Sequence, residues 1–442
     1  MIFYVDSSPK IPYTMCINCI KSFQGNFFMS SQFSKTSTPC IVVIGGGAAG
    51  FFGAITCAEA NPHAHVILLE KARALLSKVR VSGGGRCNVT HACFDPALLV
   101  RHYPRGNKAL RGPFTRFQPR DTIAWFAKRG VELKTEEDGR MFPITDSSET
   151  IIHCLMKAAR DCHVDIRTEC GVTDITARED QFILTLGNEE QLSCDSLLVA
   201  TGSSPKVYSW LQTLGHTIQP AVPSLFTFNI PGSPLQELAG ISVPRVELKI
   251  ENTPLEQSGP LLITHWGFSG PAVLKLSAWG ARLLHEMDYK AKLHINWLPD
   301  LTLPQLREQI LSCKSTYSAR LALNESPVDL PRNLWKKLVG MSSISSDLRW
   351  AAINKQQIDQ LLKNLNDGVY TIHGKSTYKE EFVTCGGVTL DEVNFKTMES
   401  RIVPKLFFAG EILDIDGVTG GFNFQNAWTT AWLAGHALGQ KK

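Results

Sequence analysis

No stretch of this chain approaches the ~18 consecutive apolar residues that a bilayer-spanning helix needs, so no membrane span and no membrane partner are expected. Residues 1–28 lack both a basic start and an unbroken apolar segment ending in small residues, so they do not read as a secretory signal. Met29 is a candidate start, because MSSQFSKTSTP leads into the first strand as a short polar leader would. The chain has no run of five Lys or Arg, and its formal charge is only +4 over 442 residues. Nucleic acid is therefore not expected as the main partner, and a small molecule is. The 12 cysteines lack the dense, even spacing of a secreted disulfide framework, and Cys57, Cys154 and Cys194 sit inside apolar stretches. That fits a reducing, cytoplasmic setting. Cys16 and Cys19 make one C-x-x-C, but no second pair follows at zinc-ligand spacing, so no metal site is expected. Internal repeats and low-complexity tracts are also missing, as is any second G-x-G-x-x-G.

What is present is 43% apolar side chain, enough to bury a large core in about two or three domains. Ile41 to Ile44 reads as a buried parallel strand that runs straight into Gly45-Gly46-Gly47-Ala48-Ala49-Gly50. In G-x-G-x-x-G, Gly45 permits a tight turn, Gly47 lets backbone approach a pyrophosphate, and Gly50 lets the next helix pack close to the strand. The helix, from Ala48 to about Glu59, aims its N-terminus and dipole at that turn, with Ala48 and Ala49 in its first turn. A second strand, His65 to Leu69, ends at Glu70 and Lys71, where the fingerprint receives ribose hydroxyls on an acid. The acid disfavours a 2′-phosphate. NAD and FAD both fit.

A second glycine-rich stretch, Val81 to His91, offers further backbone donors at Ser82, Gly83 and Gly85, with side-chain donors at Arg86 and Asn88. A nicotinamide unit does not need it, although a mobile turn is the alternative. Cys87 and Cys93 suggest a disulfide reductase, but five residues separate them rather than four, and the partner nicotinamide domain is missing. Cys87 reads better as a small packed residue.

Between the motifs, an amphipathic helix is expected near Asp121 to Arg129, a turn at Glu137-Asp138-Gly139, and a helix at Ser148 to Cys162. From Pro205 the pattern changes to strands such as Val243 to Ile250, then to helices from Pro304 to about Leu365. The expected organisation is an extension over 1–39, a cofactor domain in two parts over 40–205 and 384–442, and an inserted β-rich and helical domain over 206–383.

Residues 40 to 442 resemble the BaiN/RdsA family of FAD-dependent oxidoreductases, within the two-dinucleotide-binding-domains flavoproteins. The resemblance rests on IGGGAAG, SGGGRCNVTH, ITHWGFSGPAVLKLS and the long segment from Thr384 to Trp428, TCGGVTL through GEILDIDGVTGGFNFQNAW. It implies an α/β fold with a Rossmann-like FAD-binding domain and an insert, FAD as cofactor, and NADH or NADPH as a candidate reductant; with no second G-x-G-x-x-G, that nicotinamide is expected in the interdomain cleft. It also implies that the C-terminal segment completes the flavin site. Gly410, Glu411, Asp416, Gly421, Phe422 and Asn423 are then expected ligand contacts, with loop or helix capping as the alternative for Glu411 and Asp416. A strand ending at Gly171-Val172 is expected to offer backbone to adenine, and Thr201-Gly202 a turn beside the cofactor. The N-terminus of the helix opening at Phe422 is expected to face the pyrimidine edge of the isoalloxazine.

His265, in Thr264 to Pro271, is the candidate proton donor, with Ser269 as a helix N-cap; a purely structural corner is the alternative. The chain departs from the family pattern in a shortened segment after Gly202, in Phe422 where tyrosine is usual, and in Ala431 where glycine is common. The expected function is hydride transfer to or from a small organic substrate. The alternative is a redox-sensing or non-catalytic FAD protein whose insert binds a partner.

Overall fold

Ile41–Ile44 are all β-branched and all buried, which suits a strand covered on both faces. In the computed structural model, which describes residues 38–375 and 383–440, they lie in strand β1, Cys40–Ile44. Cys16, Cys19 and Met29 fall outside the described residues. Helix α1, Ala48–Ala60, follows, then β2, His65–Leu69, which pairs parallel to β1 with Ile44 opposite Leu69. Helix α2, Ser77–Gly85, carries non-helical backbone at Ser82, Gly83 and Gly84. Short helices, among them Pro119–Ala127, lead to α3, Ser148–Asp161, and to β3, Asp165–Arg167. The turn at Glu137-Asp138-Gly139 joins two short antiparallel strands. Strand β4, Ser196–Val199, pairs parallel with the other side of β1.

The next elements build a second layer set. Strands β5, Ser242–Ile250, β6, Glu256–Thr264, and β7, Gly267–Ser269, lead into helix α4, Pro271–Glu286. Strand β8, Lys290–Asn296, precedes three helices, Leu303–Thr316, Arg332–Met341 and Lys355–Asn366, and β9, Gly368–His373, closes the set. These strands, with Phe228–Asn229 at one edge, make a six-stranded antiparallel sheet over its own apolar cluster, which includes Trp297, Trp335 and Trp350.

The chain then returns to the first sheet. Strand β10, Leu406–Phe408, pairs parallel with β4, and helix α5, Phe422–Gly439, packs along α1. The first sheet is seven-stranded, with a parallel centre β10-β4-β1-β2-β3. Helix α1 is apolar around most of its circumference because α5 covers the side that the sheet does not. Glycines set that approach, since a Cβ at Gly435 would stand 2.5 Å from the Gly53 carbonyl oxygen. The described residues, 38–375 and 383–440, form one compact unit.

Three sequence expectations need correction. Val172 begins a strand, Val172–Ala177, rather than ending one. The N-cap of α4 is Gly270, at φ +95, and Ser269 is the last residue of β7 and makes no cap hydrogen bond. The helix expected near Asp121 to Arg129 spans Pro119–Ala127, so it starts earlier than Asp121 and ends before Arg129.

Candidate functional site

The three motif glycines are bare for different reasons. Gly45, at φ +114, is in the left-handed region, and a Cβ there would also stand 2.5 Å from the Ala200 carbonyl oxygen. At Gly50 a Cβ would collide with the Gly45 carbonyl oxygen. Gly47 is different. Its backbone is extended, at φ −92 and ψ −170, and nothing lies within 4 Å of where a Cβ would go. Gly84 and Gly85 also face open space, whereas Gly83 packs against Phe142. Glycine at 47 therefore leaves a space that the described residues do not fill.

That space lies at a helix N-terminus with no side-chain cap and no acid in its first turn, so its N–H groups stay available to an anion. Glu70, at the end of β2, accepts from the Gly46 N–H at 2.7 Å and the Ala72 N–H at 2.9 Å, which fastens its carboxylate to the glycine turn. Each oxygen keeps a lone pair for a hydroxyl. Lys71 is exposed beside Gly171, whose Cβ position is 3.3 Å from the lysine Cβ, so Val172, Glu70 and Lys71 come together. Thr201 and Gly202 follow β4, and a Cβ on Gly202 would be 3.7 Å from Glu411 Oε2.

The C-terminal segment meets both glycine motifs. A Cβ at Gly410 would approach Ala49 Cβ to 3.0 Å, and the Gly410 N–H donates to Thr430 Oγ1 at 2.9 Å. Gly421, at φ +92, has no room for a side chain because the Thr90 carbonyl oxygen lies 2.5 Å from its Cβ position. Asn88 bridges the two loops: its amide donates to the Thr90 carbonyl at 3.0 Å and accepts from the Gly421 N–H at 3.0 Å. Trp428 Nε1 donates to the Val89 carbonyl at 2.9 Å, and Thr90 Oγ1 to Gln425 Oε1 at 2.6 Å. Helix α5 also starts without a side-chain cap or an acid.

Several expected contacts are taken up inside the protein. Asp416 is fully buried, paired through both carboxylate oxygens with Arg105 and accepting from Ser224 Oγ. Burial pushes its carboxyl up, and the Arg105 guanidinium pulls the other way. Asn423 closes a ring with Gly417, accepting at 2.8 Å and donating at 2.8 Å. Arg86 lies over Phe142 at 4.0 Å and pairs with Glu136 at 2.6 Å. Ser82 donates to the Val79 carbonyl at 2.9 Å, and Glu411 pairs with Lys78 at 2.7 Å. Phe422 is buried, and its carbonyl accepts from Tyr103 at 2.6 Å. Cys87 is buried and its thiol is pushed up to about 12 by desolvation, so it holds no thiolate for disulfide exchange at neutral pH.

Sequence reasoning missed Asn426. It is fully buried in the second turn of α5, and neither its amide oxygen nor its nitrogen has a partner among the described residues. Its carbonyl accepts from Thr430 Oγ1, the hydroxyl that holds Gly410, so Asn426 lies on the helix face turned towards Gly410 and α1. An orphaned donor and acceptor cost about 1 to 3 kcal/mol each, a penalty that a bound group carrying both complements would remove.

His265 and Trp266 are the two turn residues between β6 and β7, and both are exposed. A Ser–His–Glu arrangement also exists: His216 lies 2.9 Å from Glu392 and 2.9 Å from Ser400 Oγ. Ser400 Oγ already accepts from the N–H groups of Ile402 at 3.0 Å and Val403 at 2.8 Å. That hydroxyl is a buried strut rather than a nucleophile. Among the described residues no group of three or more His, Cys, Asp or Glu could hold a metal ion, and no helix is long and apolar enough to cross a membrane.

A family model described as the HI0933-like protein Rossmann domain matches residues 39–437. The ribosomal RNA dihydrouridine synthase of Escherichia coli is 31% identical over 409 residues, covering 90% of this chain and 97% of that protein. The 3-dehydro-bile acid delta(4,6)-reductase of Clostridium scindens is 27% identical, over 91% of this chain and 99% of that protein. Among solved structures, the 3-ketosteroid delta1-dehydrogenase of Sterolibacterium denitrificans in complex with 1,4-androstadiene-3,17-dione has a TM-score of 0.51 at 11% identity. It covers 92% of this chain and 100% of that one, a likeness of fold alone.

Proposed function

The chain belongs to the HI0933-like Rossmann family, the BaiN/RdsA flavoproteins that its motifs resemble, and from that premise we propose an FAD-dependent reductase acting on a carbon–carbon double bond polarised by a carbonyl. NADH or NADPH is the proposed electron donor. The observation that carries the cofactor is the open side of Gly47 at an uncapped α1 N-terminus, with Gly84 and Gly85 also open in the second glycine loop and Asn426 on α5 without a partner among the described residues. These residues fit FAD. Gly45 to Gly50 would hold its pyrophosphate, Glu70 a ribose, Val172 the adenine, and Thr201, Gly202, Gly410 and Glu411 the stretch between. Asn426 offers a donor and an acceptor to a ring edge that carries both. When bound, FAD supplies the hydride chemistry. The chain's own residues orient the substrate, exclude water and stabilise charge.

The bond class rests on what the two relatives' names share. Dihydrouridine and a delta(4,6)-reduced steroid both result from saturating a ring double bond, and both rings carry carbonyls. Residues 206–383 are the proposed cap over the substrate. The undisulfided thiols of Cys154 and Cys194 suit a reducing, cytoplasmic setting.

A small organic substrate is the first reading. RNA is the second, favoured by Arg101, Lys108, Arg111, Arg116 and Arg120, which are all exposed and form no ion pair among the described residues. The one acid among them, Asp121, caps its own helix through the Gln118 N–H at 2.8 Å. Exposed, unpaired basic side chains of this kind suit a phosphate backbone.

The test is anaerobic mixing of FAD-loaded protein with NADH and with NADPH, then with a 3-oxo-delta-4 steroid or a uridine-containing RNA hairpin. Bleaching near about 450 nm followed by recovery with one acceptor supports the reading. No bleaching with either nicotinamide would favour the redox-sensing or non-catalytic alternative.

A further inference from the structure

Beside the start of α5 lie three half-buried donors, and among the described residues no carboxylate pairs with the ammonium among them. His102 lies flat on Phe422, with ring centroids 4.2 Å apart and planes 11° apart. His91 tilts over the same ring at 4.5 Å, and its own centroid is 5.9 Å from that of His102. His91 Nδ1 is 3.0 Å from the Gly420 carbonyl oxygen, so that nitrogen carries the proton and donates. The third donor is Lys275 on α4. One turn further on, the Ala278 carbonyl accepts from Arg105 at 2.7 Å, which holds this end of α4 against the segment that carries His102.

Lys275 is half-buried, makes no ion pair among the described residues, and its charge acts on both imidazoles. No described residue hydrogen-bonds either ring nitrogen of His102. Burial first, then His91 and Lys275, lowers His102 to about 4, so at neutral pH the ring is uncharged and offers one N–H and one lone pair. Burial lowers His91, against the Gly420 carbonyl and Asp138, which raise it, and together with Lys275 and Arg140, which lower it. A half-buried ammonium without a counter-ion costs free energy that an oxygen carrying negative charge would recover.

We propose that His102 and Lys275 form the carbonyl subsite of the substrate pocket, with His91 as the residue that positions His102. The inference rests on the reduction proposed above. Hydride from the bound reductant forms a C–H bond at the β-carbon, the π pair of the double bond moves to the Cα–C bond, and the carbonyl oxygen takes the charge. The His102 N–H donates to that oxygen, Lys275 balances its charge, and a proton from solvent completes the α-carbon. His102 gives up no proton, since a neutral imidazole N–H is too weak an acid to do so; it acts as a polarising donor. This places the electrophile at the α4–α5 junction and leaves His265, exposed in its turn, outside the chemistry.

The test uses FAD-loaded protein labelled with 15N-histidine, with His102→Phe to assign the signal and keep the stack on Phe422. Titration of the oxidised protein with 2-cyclohexen-1-one should move the His102 resonances and leave those of His265 in place. In parallel, reoxidation of the dithionite-reduced protein by the same enone should slow about 10²-fold in His102→Phe and in Lys275→Met, at unchanged FAD content. An unmoved His102, or variants reoxidised at the wild-type rate, would overturn the subsite and leave the proposed reduction standing. A wild-type protein that holds FAD and is never reoxidised by the enone contradicts the reduction itself, while the 15N titration still decides the place of His102.

Discussion

A single added methyl group separates the roles of the motif glycines. Gly50→Ala forces a Cβ into the Gly45 carbonyl oxygen, a backbone clash that no side chain can relieve, and overpacking of this kind costs about 1 to 3 kcal/mol or more. Gly47→Ala meets nothing within 4 Å in a backbone conformation open to any residue. Its loss as a helix N-cap and its gain in backbone entropy nearly offset, so apoprotein stability should stay within about 1 kcal/mol. Thermal midpoints of the two apoproteins, read beside their FAD affinities, check this: Gly50→Ala should lose stability, and Gly47→Ala should lose affinity alone. A Gly47→Ala variant that binds FAD as wild type does would mean the open space is not a ligand's.

His102 supplies a pH dependence of known sign. The folded imidazole titrates near about 4, lowered by burial and by the facing His91 and Lys275, while the unfolded one titrates near its ordinary 6.5. Between those values the unfolded state holds the extra proton, so stability rises with pH there and is lost as pH falls. His91 is lowered too and adds the same sign. Urea midpoints measured at pH 7 and pH 5 should fall less in His102→Phe than in wild type.

At the scale of elements, Arg105 joins segments far apart in the chain. It pairs with Asp416 in the returning C-terminal loop, donates to the Ala278 carbonyl in α4 at 2.7 Å, and donates to Ser224 at 3.0 Å. Arg282 repeats the device, bonding Asp414 at 3.0 Å. Arg105→Met leaves a fully buried carboxylate without its cation and should cost about 3 to 5 kcal/mol by chemical denaturation. Arg105→Met combined with Asp416→Leu should recover much of the loss. A single variant as stable as wild type would mean the pair does not hold these segments together.

The same elements show what the sequence could disclose. Strand β1, the glycine turn, α1 and β2 carry local signals, namely β-branched runs, glycines at fixed spacing and an acid at a fixed offset, and the structure has them at or within a residue of the expected bounds. The return of the C-terminal segment to the first domain was implied by motif resemblance, while its partners there, β4 and α1, come from the structure. The Arg105–Asp416 pair did not, because neither residue carries a local sign of a partner 311 positions away. Asn426 was hidden for the same reason: inside GFNFQNAW it looks like any polar helix residue until the fold shows it buried with no partner among the described residues. Val172 and Ser269 were misjudged at element ends, where one or two residues of backbone decide the outcome.

Over the whole molecule, a formal charge of +4 hides an uneven distribution. Exposed Arg101 adjoins His102 in the chain, and exposed Lys108, Arg111, Arg116 and Arg120 follow within the next eighteen positions. If RNA is the substrate, its binding should weaken about tenfold or more between roughly 50 and 200 mM salt, and Arg111→Ala with Arg120→Ala should flatten that slope. A steroid would show no such slope.

The central claim is that the space in front of Gly47 belongs to FAD. Titrating FAD into the apoprotein by calorimetry tests it most directly. Saturable one-to-one binding is predicted, weakened by about 1 to 3 kcal/mol in Glu70→Ala, whose carboxylate stands at the end of β2 to receive ribose hydroxyls. No saturable binding, or equal binding by Glu70→Ala and wild type, would contradict the account.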